Sequence, residues 1–295
     1  MVQADCIEWL RSAPGRSIHA VVTDPPYGLV EYSDLEQQKL RSGRGGVWRV
    51  PPSFDGHVRS PLPRFTVLSA EDHARLVDFF RAWGEALRPA LVPGAHVIVA
   101  CNPLISHLVC WAMTREGFEK RGEVIRLVMT LRGGDRPKNA HEEFSNVSVM
   151  PRSMWEPWVL FRKPLEGRVQ DNLRKWRVGG LRRPSRDVPF GDVIKSSPAP
   201  KAERRLAPHP SLKPQLFLRA LARAMLPFGE GTLLDPFAGS GSTLAAAEAV
   251  GYASIGIERD PKYFALAQGA VPELSKLYPE GIKSPLPGDP TTIEV

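Results

Sequence analysis

The chain has 295 residues, of which 42% are hydrophobic and 24% charged, with a formal net charge of +7 and an isoelectric point near 9.5. This length suits one α/β domain with a small appendage and leaves little room for a second full domain. Its three cysteines, Cys6, Cys101 and Cys110, make no Cys-x-x-Cys pair, so the sequence predicts reduced thiols and no metal site. Without a long apolar run or a signal-type start, we expect a cytoplasmic protein, and the positive charge favours a polyanionic partner.

The first elements end in acidic residues. Residues 1–5 are typical of a short strand that ends at Asp5, and a helix is expected from Cys6. Asp5 would then lie at the carboxyl end of a strand, although a plain helix N-cap is an equal alternative. Residues 18–22 predict a buried strand that runs into Thr-Asp-Pro-Pro-Tyr-Gly at 23–28.

Two prolines cannot continue this strand, so they hold the residues before them in extended conformations at its carboxyl end. An exocyclic amino group of a nucleobase is a poor nucleophile, because its lone pair is delocalised into the ring. The Asp24 carboxylate and the Pro25 carbonyl can accept its two hydrogens, and Tyr27 offers a flat face for stacking. The sequence therefore predicts a catalytic site at Asp24, Pro25, Pro26 and Tyr27.

Residues 28–66 show no sustained periodicity and combine glycines and prolines with arginines. We interpret them as a mobile basic loop that closes over the substrate, with Arg44, Trp48 and Arg49 as candidate DNA contacts. Further along, the pattern predicts a helix over 70–87 capped by Ser69, strands over 96–100 and 124–131, and a helix between them that ends at Arg115. Residues 155–163 predict the antiparallel strand of the sheet.

Positive charge is concentrated in residues 162–205, which hold thirteen Lys or Arg against five acidic residues. Such a run is usually a solvated surface, but here it supplies all of the net charge and contains Trp176 and several glycines and prolines. We therefore predict that this segment contacts DNA. The candidate residues are Arg174, Lys175, Arg177, Arg182, Arg183 and Arg186.

A glycine-rich turn follows a predicted helix over 214–226. Thr232 to Leu234 read as a strand, Asp235 ends it, and Gly239 and Gly241 allow a tight turn into a helix. No Lys follows the glycines, so this is not the phosphate loop of NTPases. The next strand ends in Glu258, at a spacing suited to binding ribose hydroxyls. A helix is expected over 261–277, followed by a flexible tail over 279–295.

Three of these motifs together resemble the S-adenosylmethionine-dependent DNA amino-methyltransferases, which methylate adenine N6 or cytosine N4. They are Asp-Pro-Pro-Tyr at 24–27, Asp-Pro-Phe-Ala-Gly-Ser-Gly at 235–241 and His-Pro-Ser-Leu-Lys-Pro at 209–214. Catalytic motif first and cofactor motif last is the order of the beta class, and the resemblance spans residues 2–270. Ser211 stands where the family more often has Thr, and the segment after Tyr27 is unusually long.

The resemblance implies S-adenosyl-L-methionine as cofactor, with Asp5 bonding its adenine amino group. Because Phe237 adjoins the glycine turn, we expect its ring to face the sulfonium cation. The residues implied at this site are Asp5, Cys6, His209, Ser211, Lys213, Asp235, Pro236, Phe237, Ala238, Gly239, Ser240, Gly241, Ser242, Thr243, Glu258 and Arg259. It implies no metal. It also implies double-stranded DNA as substrate, with the target base flipped out of the duplex.

The expected fold is α/β: a Rossmann-like, doubly wound, mostly parallel sheet with a small basic target-recognition insert. We divide the chain into a catalytic half (1–163), the insert (164–206), a cofactor-binding half (207–278) and the tail.

Asp before Pro-Pro-Tyr favours adenine N6 over cytosine N4 in this family. An RNA methyltransferase and a DNA-binding subunit without activity remain as alternatives, although the intact motifs argue against the second. A homodimer and a cognate restriction endonuclease are further expected partners.

Overall fold

The computed structural model describes residues 1–26, 69–132, 136–137, 139–209 and 211–278, with side chains 129–132 left out. Its centre is one eight-stranded sheet of order β1-β8-β7-β2-β3-β5-β4-β6. The strands are β1 (Val2–Gln3), β2 (Ile18–Thr23), β3 (Leu91–Ala100), β4 (Glu119–Arg132), β5 (Ser153–Arg162), β6 (Val193–Ser196), β7 (Thr232–Asp235) and β8 (Ala253–Glu258).

All neighbouring strands pair in parallel except β5, which is antiparallel to both β3 and β4. The mostly parallel sheet and its antiparallel member are therefore confirmed. Every residue of β3 is buried, and so is every residue of β2 except His19. Continuous apolar runs of this kind are required where both faces of a parallel sheet are covered.

Helices form two packed groups. The helices are α1 (Cys6–Ser12), α2 (Ala70–Ala90), α3 (Ser106–Arg115), α4 (Val169–Trp176), α5 (Lys201–Leu206), α6 (Gln215–Met225), α7 (Ser242–Ala249) and α8 (Pro261–Lys276). In one group α2 packs on α1 and α3, and in the other α7 packs on α6 and α8. Two such groups are what a doubly wound sheet needs. As predicted, Ser69 caps α2, and it does so in a reciprocal capping box with Asp72.

The observed elements differ from the predicted ones mainly in the basic segment. There the sequence analysis gave no element, but the structure has α4, α5 and the short strand β6, which extends the sheet beside β4. Four residues in a stretch rich in proline and charge give no usable periodicity, so β6 is visible only through its pairing. Strands β3 and β4 also begin five residues earlier than predicted, at Leu91 and Glu119.

The order of strands places a switch point between β7 and β2. From β7 the chain continues to β8 on one side, and from β2 it continues to β3 on the other. Ligands of open α/β sheets bind in the crevice at the carboxyl ends of the strands at such a point. Residues 24–26 and 236–241 follow these two strands. None of the helices in the described ranges is long and apolar enough to cross a membrane.

Candidate active site and cofactor site

Four acidic residues lie at the carboxyl-terminal edge of the sheet, where parallel strands end together. Asp24 follows β2, Asp235 ends β7, Glu258 ends β8, and Asp5 lies two residues beyond β1. Because these strands are neighbours, with β1 beside β8 and β7 beside β2, their ends form one continuous edge. The structure therefore brings together the catalytic and cofactor motifs, which are more than two hundred residues apart in the sequence.

Asp24 is paired with Lys213 at this edge. The Nζ atom of Lys213 donates to Oδ2 of Asp24 and lies 3.6 Å from Oε1 of Glu156. The side chains of Lys213 and Asp24 are only 11% and 17% exposed, so the pair is largely shielded from water. In the structure Lys213 contacts the carboxylates of Asp24 and Glu156, and its predicted contact with the cofactor stays a prediction. Pro25 and Pro26 follow Asp24, and Tyr27 lies outside the described residues.

Two residues that the sequence analysis missed continue this arrangement. Arg126 on β4 donates from Nη1 to Oε2 of Glu156 at 3.1 Å, and from Nη2 to the carbonyl of Ser197 at 2.9 Å. Arg126 is only 5% exposed, and Trp158 donates to the other oxygen of Glu156 at 2.8 Å. Charges of alternating sign therefore run from Asp24 through Lys213 and Glu156 to Arg126. A buried charge is stable only when it is paired and hydrogen-bonded in this way.

Asp235 joins the cofactor strand to the catalytic strand. Its Oδ1 accepts from the hydroxyl of Thr23 on β2 at 2.7 Å and from the backbone N–H of Phe237 at 3.1 Å. Asp235 is 2% exposed, and burial raises the pKa of its carboxyl to about 6. The hydrogen bonds from Thr23 and Thr243 act in the opposite direction on this pKa. The carboxylate thus fixes where residues 236–241 leave the sheet.

The glycine turn has the backbone geometry that the sequence predicted. Gly239 and Gly241 have φ angles of +51° and +81°, which other residues rarely adopt. A Cβ atom on Gly239 would lie 3.2 Å from Nε2 of His209, so a side chain there would close the space above the turn. Helix α7 starts at Ser242, and no described side chain caps it. Its first N–H groups are thus left for an anion.

His209 lies against this turn and beside Tyr263, with ring centroids 4.6 Å apart. Burial lowers the pKa of its imidazole, with Lys213 adding to the effect and Asp24 opposing it, so the ring is neutral at pH 7. Its Nδ1 accepts from the backbone N–H of Ser211 at 3.2 Å, which rules out a proton on that nitrogen. His209 thus contacts the glycine turn, and Lys213, four positions later in the sequence, contacts Asp24.

Glu258 and Asp5 hold backbone groups at the same edge. The two oxygens of Glu258 accept from the N–H groups of Gly239 and Asp260, both at 2.8 Å. Asp5 is the N-cap of α1, and its Oδ1 accepts from Ile7 and Glu8. The capping alternative for Asp5 is therefore confirmed, and the predicted contacts of both carboxylates with the cofactor remain predictions. Burial raises the pKa of the neighbouring Cys6 thiol to about 12.

The remaining cofactor candidates belong to the turn or follow β8. Ala238, Ser240 and Thr243 are buried, Pro236 and Ser242 lie in the same stretch, and Arg259 follows Glu258 at the end of β8. The ring of Phe237 lies 5.9 Å from that of Phe79 and 5.8 Å from that of Trp83, both on α2. Phe237 thus packs against two aromatic neighbours, and its contact with a sulfonium stays a prediction.

The basic candidates Arg174, Lys175 and Arg177 lie at the opposite, amino-terminal edge of the sheet. Trp176 of this group stacks under Arg16, which precedes β2, and Arg177 pairs with Glu230, which precedes β7. The six residues of β2 separate this edge from Asp24 by roughly 20 Å. The structure therefore does not bring these three residues to the catalytic site.

Arg182 and Arg183 lie at the same amino-terminal edge. Arg182 donates to the hydroxyl of Tyr252, the residue before β8, at 2.7 Å, and Arg183 accepts at its carbonyl from Arg223 of α6 at 3.0 Å. Arg186 is exposed on the stretch that leads towards β6. Their DNA contacts stay a prediction, while Arg44, Trp48, Arg49 and the loop 28–66 fall outside the described residues, as does the tail 279–295.

Comparisons with known proteins identify the family of this chain. The N6_N4_Mtase family model, described as DNA methylase, matches residues 18–269. Type II methyltransferase M.HindIII of Haemophilus influenzae is 26% identical over 288 residues, which cover 90% of this chain and 92% of that protein.

Two solved structures share the fold. TTHA0409 of Thermus thermophilus has a TM-score of 0.57 at 20% identity and covers 94% of this chain and 97% of its own. The M1.HpyAVI–SAM complex has a TM-score of 0.56 at 15% identity and covers 90% and 96%. The match of the family model extends over most of the chain and includes both Asp24 and the glycine turn. The chain belongs to the N6_N4_Mtase family of DNA methylases.

Proposed function

We propose that this DNA methylase transfers a methyl group from S-adenosyl-L-methionine to N6 of adenine at a specific site in double-stranded DNA. The observation that carries the proposal is that Asp24 and the glycine turn meet at one switch point, with His209 and Lys213 between them. A carboxylate that accepts hydrogen bonds and a turn that binds a nucleoside are the two parts that amino methylation requires.

The residues at the turn fit S-adenosyl-L-methionine. Because Gly239 has no side chain, the space between the turn and His209 stays open, whereas Gly241 allows the turn to pack closely against Ala267 and Val271 of α8. The uncapped start of α7 suits the carboxylate of an amino acid. Glu258 and Asp5, at the ends of the next two strands, are in the order expected for ribose and adenine. When bound, the cofactor supplies an electrophilic methyl group on a sulfonium.

The protein's own groups act on the target base. Asp24 and the Pro25 carbonyl accept hydrogen bonds from the amino group, which draws the nitrogen towards tetrahedral geometry and frees its lone pair. Lys213 holds the Asp24 carboxylate at Oδ2, which fixes the orientation that this carboxylate presents to the base. Holding nucleophile and methyl group in line removes much of the entropic cost of the reaction.

Adenine is proposed because Asp, rather than Ser, precedes Pro-Pro-Tyr. A base inside a duplex cannot reach Asp24, so the target base is flipped out before transfer. A cognate restriction endonuclease is proposed from the similarity to M.HindIII, a type II methyltransferase. A cytoplasmic location follows from DNA as the substrate. We also propose a homodimer, which sedimentation of the purified protein would test.

The first prediction is that the purified protein converts adenine in duplex DNA to N6-methyladenine, and that Asp24→Ala slows this at least about 100-fold. Loss of a required catalytic contact has a cost of this size. The treated DNA is digested to nucleosides, and the methylated nucleosides are identified and quantified by liquid chromatography and mass spectrometry. Cofactor affinity, measured by calorimetry, should stay within about twofold, because the carboxylate acts on the base.

Glu85→Gln is the control, because this exposed acid on α2 lies outside the site. It should retain the wild-type rate. N4-methylcytosine as the product would overturn the choice of base. More than about a tenth of the rate remaining in Asp24→Ala would contradict the assigned role of Asp24.

A further inference from the structure

The basic segment 162–205 is divided by the fold into two groups of different environment. Residues 168–183 lie along the amino-terminal edge of the sheet, as described above. The last part returns to the carboxyl-terminal edge through β6 and forms α5, which carries Lys201, Arg204 and Arg205. We call these three residues the α5 basic face.

Helix α5 turns one side to the protein and the other to solvent. Glu203 is 1% exposed, and its Oε2 accepts from the backbone N–H of Gln215 at 3.0 Å. At 100° per residue, Lys201, Arg204 and Arg205 fall on the side of the helix away from Glu203. All three are exposed. The packing of Glu203 therefore fixes the direction in which the three cations point.

The residues that flank helix α5 on both sides contact the candidate active site. Ser197, four residues before α5, accepts at its carbonyl from Arg126, which belongs to the charge series that ends at Asp24. His209, three residues after α5, lies against the glycine turn. The α5 basic face is thus held at the edge where a flipped base would enter.

The two basic groups also differ in their partners. At the amino-terminal edge Arg168 and Arg174 pair with Asp171, and Lys175 pairs with Glu166. Within the described ranges, the side chains of Lys201, Arg204 and Arg205 have no acidic partner and donate no hydrogen bond. Cations that the protein leaves uncompensated at one face attract an external polyanion most strongly.

We infer that the α5 basic face binds the phosphate backbone of DNA beside the flipped base, and that the basic residues of α4 do not contact it. This inference rests on the proposed function, because it assumes DNA as the substrate. It also divides the segment by role: the α5 basic face contacts the substrate, and the basic residues of α4 are paired with acids of the protein itself.

The second prediction is that the salt dependence of DNA binding separates the two groups. Each neutralised phosphate releases counterions, so log K falls with log salt by about 0.9 per contact. The triple variant Lys201→Gln, Arg204→Gln, Arg205→Gln should therefore lose up to about three units of this slope. Gln keeps the helix propensity close to that of Lys and Arg. Binding is measured on a fluorescent duplex of fixed sequence at several salt concentrations.

The matched control removes the same charge from α4 through Arg168→Gln, Arg174→Gln and Lys175→Gln. Its pairs are exposed and worth little to stability, so the fold should persist and the slope should stay at the wild-type value. Melting temperature and cofactor affinity, unchanged in both variants, confirm intact proteins. Single variants of the α5 face, each lowering the slope by about 0.9, would support the inference even if the triple variant were poorly folded.

An unchanged slope in the α5 variants, or a loss confined to the α4 control, would overturn the inference while leaving methylation by the wild type intact. Failure of the proposed function has a different signature, since the wild-type protein would then methylate no duplex DNA at all.

Discussion

Asp24 is held by a series of charges, and this makes Lys213 a positioning residue for the proposed reaction. A carboxylate beside a flipped base must keep one orientation while water and substrate exchange. Lys213 bonds one of its oxygens, and Glu156, itself held by Arg126 and Trp158, keeps Lys213 in place. Support of this kind maintains the geometry of a catalytic group to within a fraction of an ångström.

The third prediction is that Lys213→Met lowers the single-turnover rate at least about tenfold, with cofactor affinity within about twofold of wild type. If Lys213 acts through Asp24, the double variant Asp24→Asn, Lys213→Met should be no slower than Asp24→Asn alone. Effects of residues that work as one unit are not additive.

A role of Lys213 in binding the cofactor would give a different result. The dissociation constant of the cofactor would then rise in Lys213→Met, and the losses of rate in Lys213→Met and Asp24→Asn would multiply in the double variant. Glu156→Gln is the intermediate case: it keeps a hydrogen-bond acceptor but removes the charge, so we expect a smaller loss of rate with the same lack of additivity.

Sequence reasoning found Asp24, the glycine turn and His209, because each belongs to a short motif with a chemical meaning. It did not find Arg126 or Glu156. These two residues are directly opposite each other on β4 and β5, and this register depends on how strands joined by a long connection align. No local pattern encodes that alignment, so only the fold reveals the pair.

At the scale of elements, the pairing of β7 with β2 brings the two halves of the candidate site together. Asp235 and Thr23 bond across it, and the two strands carry the cofactor turn and the catalytic motif. The observed order of strands and helices around β7 matches the order predicted from the sequence, because glycine turns and amphipathic helices are local signals. Strand starts agreed less well, because Pro93 and Gly94 belong to β3 although they are usually strand breakers.

The fourth prediction concerns the pH dependence of stability that Asp235 imposes. Burial raises its folded-state pKa from 3.8 to about 6, so the folded protein binds this proton more tightly than the unfolded chain does. The stabilisation is present below about pH 4 and is lost as the pH rises through about 6. Asp235→Asn cannot ionise at this position. Relative to that variant, the free energy of unfolding of the wild type should fall by roughly 3 kcal/mol as the pH rises from about 4 to well above 6.

Urea unfolding of both proteins at several pH values measures this difference. Asn can still accept from Thr23 and Phe237, so the variant should fold, and subtracting its curve removes the contributions of other titrating groups. Parallel curves for the two proteins would show that Asp235 does not titrate in this range.

For the whole molecule, the two edges of the sheet serve different purposes. The carboxyl-terminal edge carries Asp24, the glycine turn and the α5 basic face, whereas α4 closes the amino-terminal edge. The sequence presented residues 162–205 as one unit because composition averages over a segment. Charge alone does not tell whether an arginine faces solvent or an acid of the same protein, which is why the basic segment was the least predictable part of the chain.

The fifth prediction tests whether residues 164–185 belong to the common core. Asn172 on α4 is fully buried; its Nδ2 donates to the carbonyls of Pro93 at 3.0 Å and Val178 at 2.7 Å, and its Oδ1 accepts from the N–H of Glu166 at 3.0 Å. Asn172→Ala leaves these buried groups without partners, so we expect a loss of about 2 to 5 kcal/mol in the free energy of unfolding.

If α4 is part of the core, calorimetry should show this loss as a lower temperature of one cooperative transition for the whole protein. Arg174→Gln, on the exposed side of the same helix, should change stability by less than about 0.5 kcal/mol. A separate transition at low temperature, with the main transition unmoved and methyl transfer intact, would instead identify this segment as an independent insert. Because Pro93 lies near the start of β3, the first result would mean that the segment secures the sheet that positions Asp24 at its other edge.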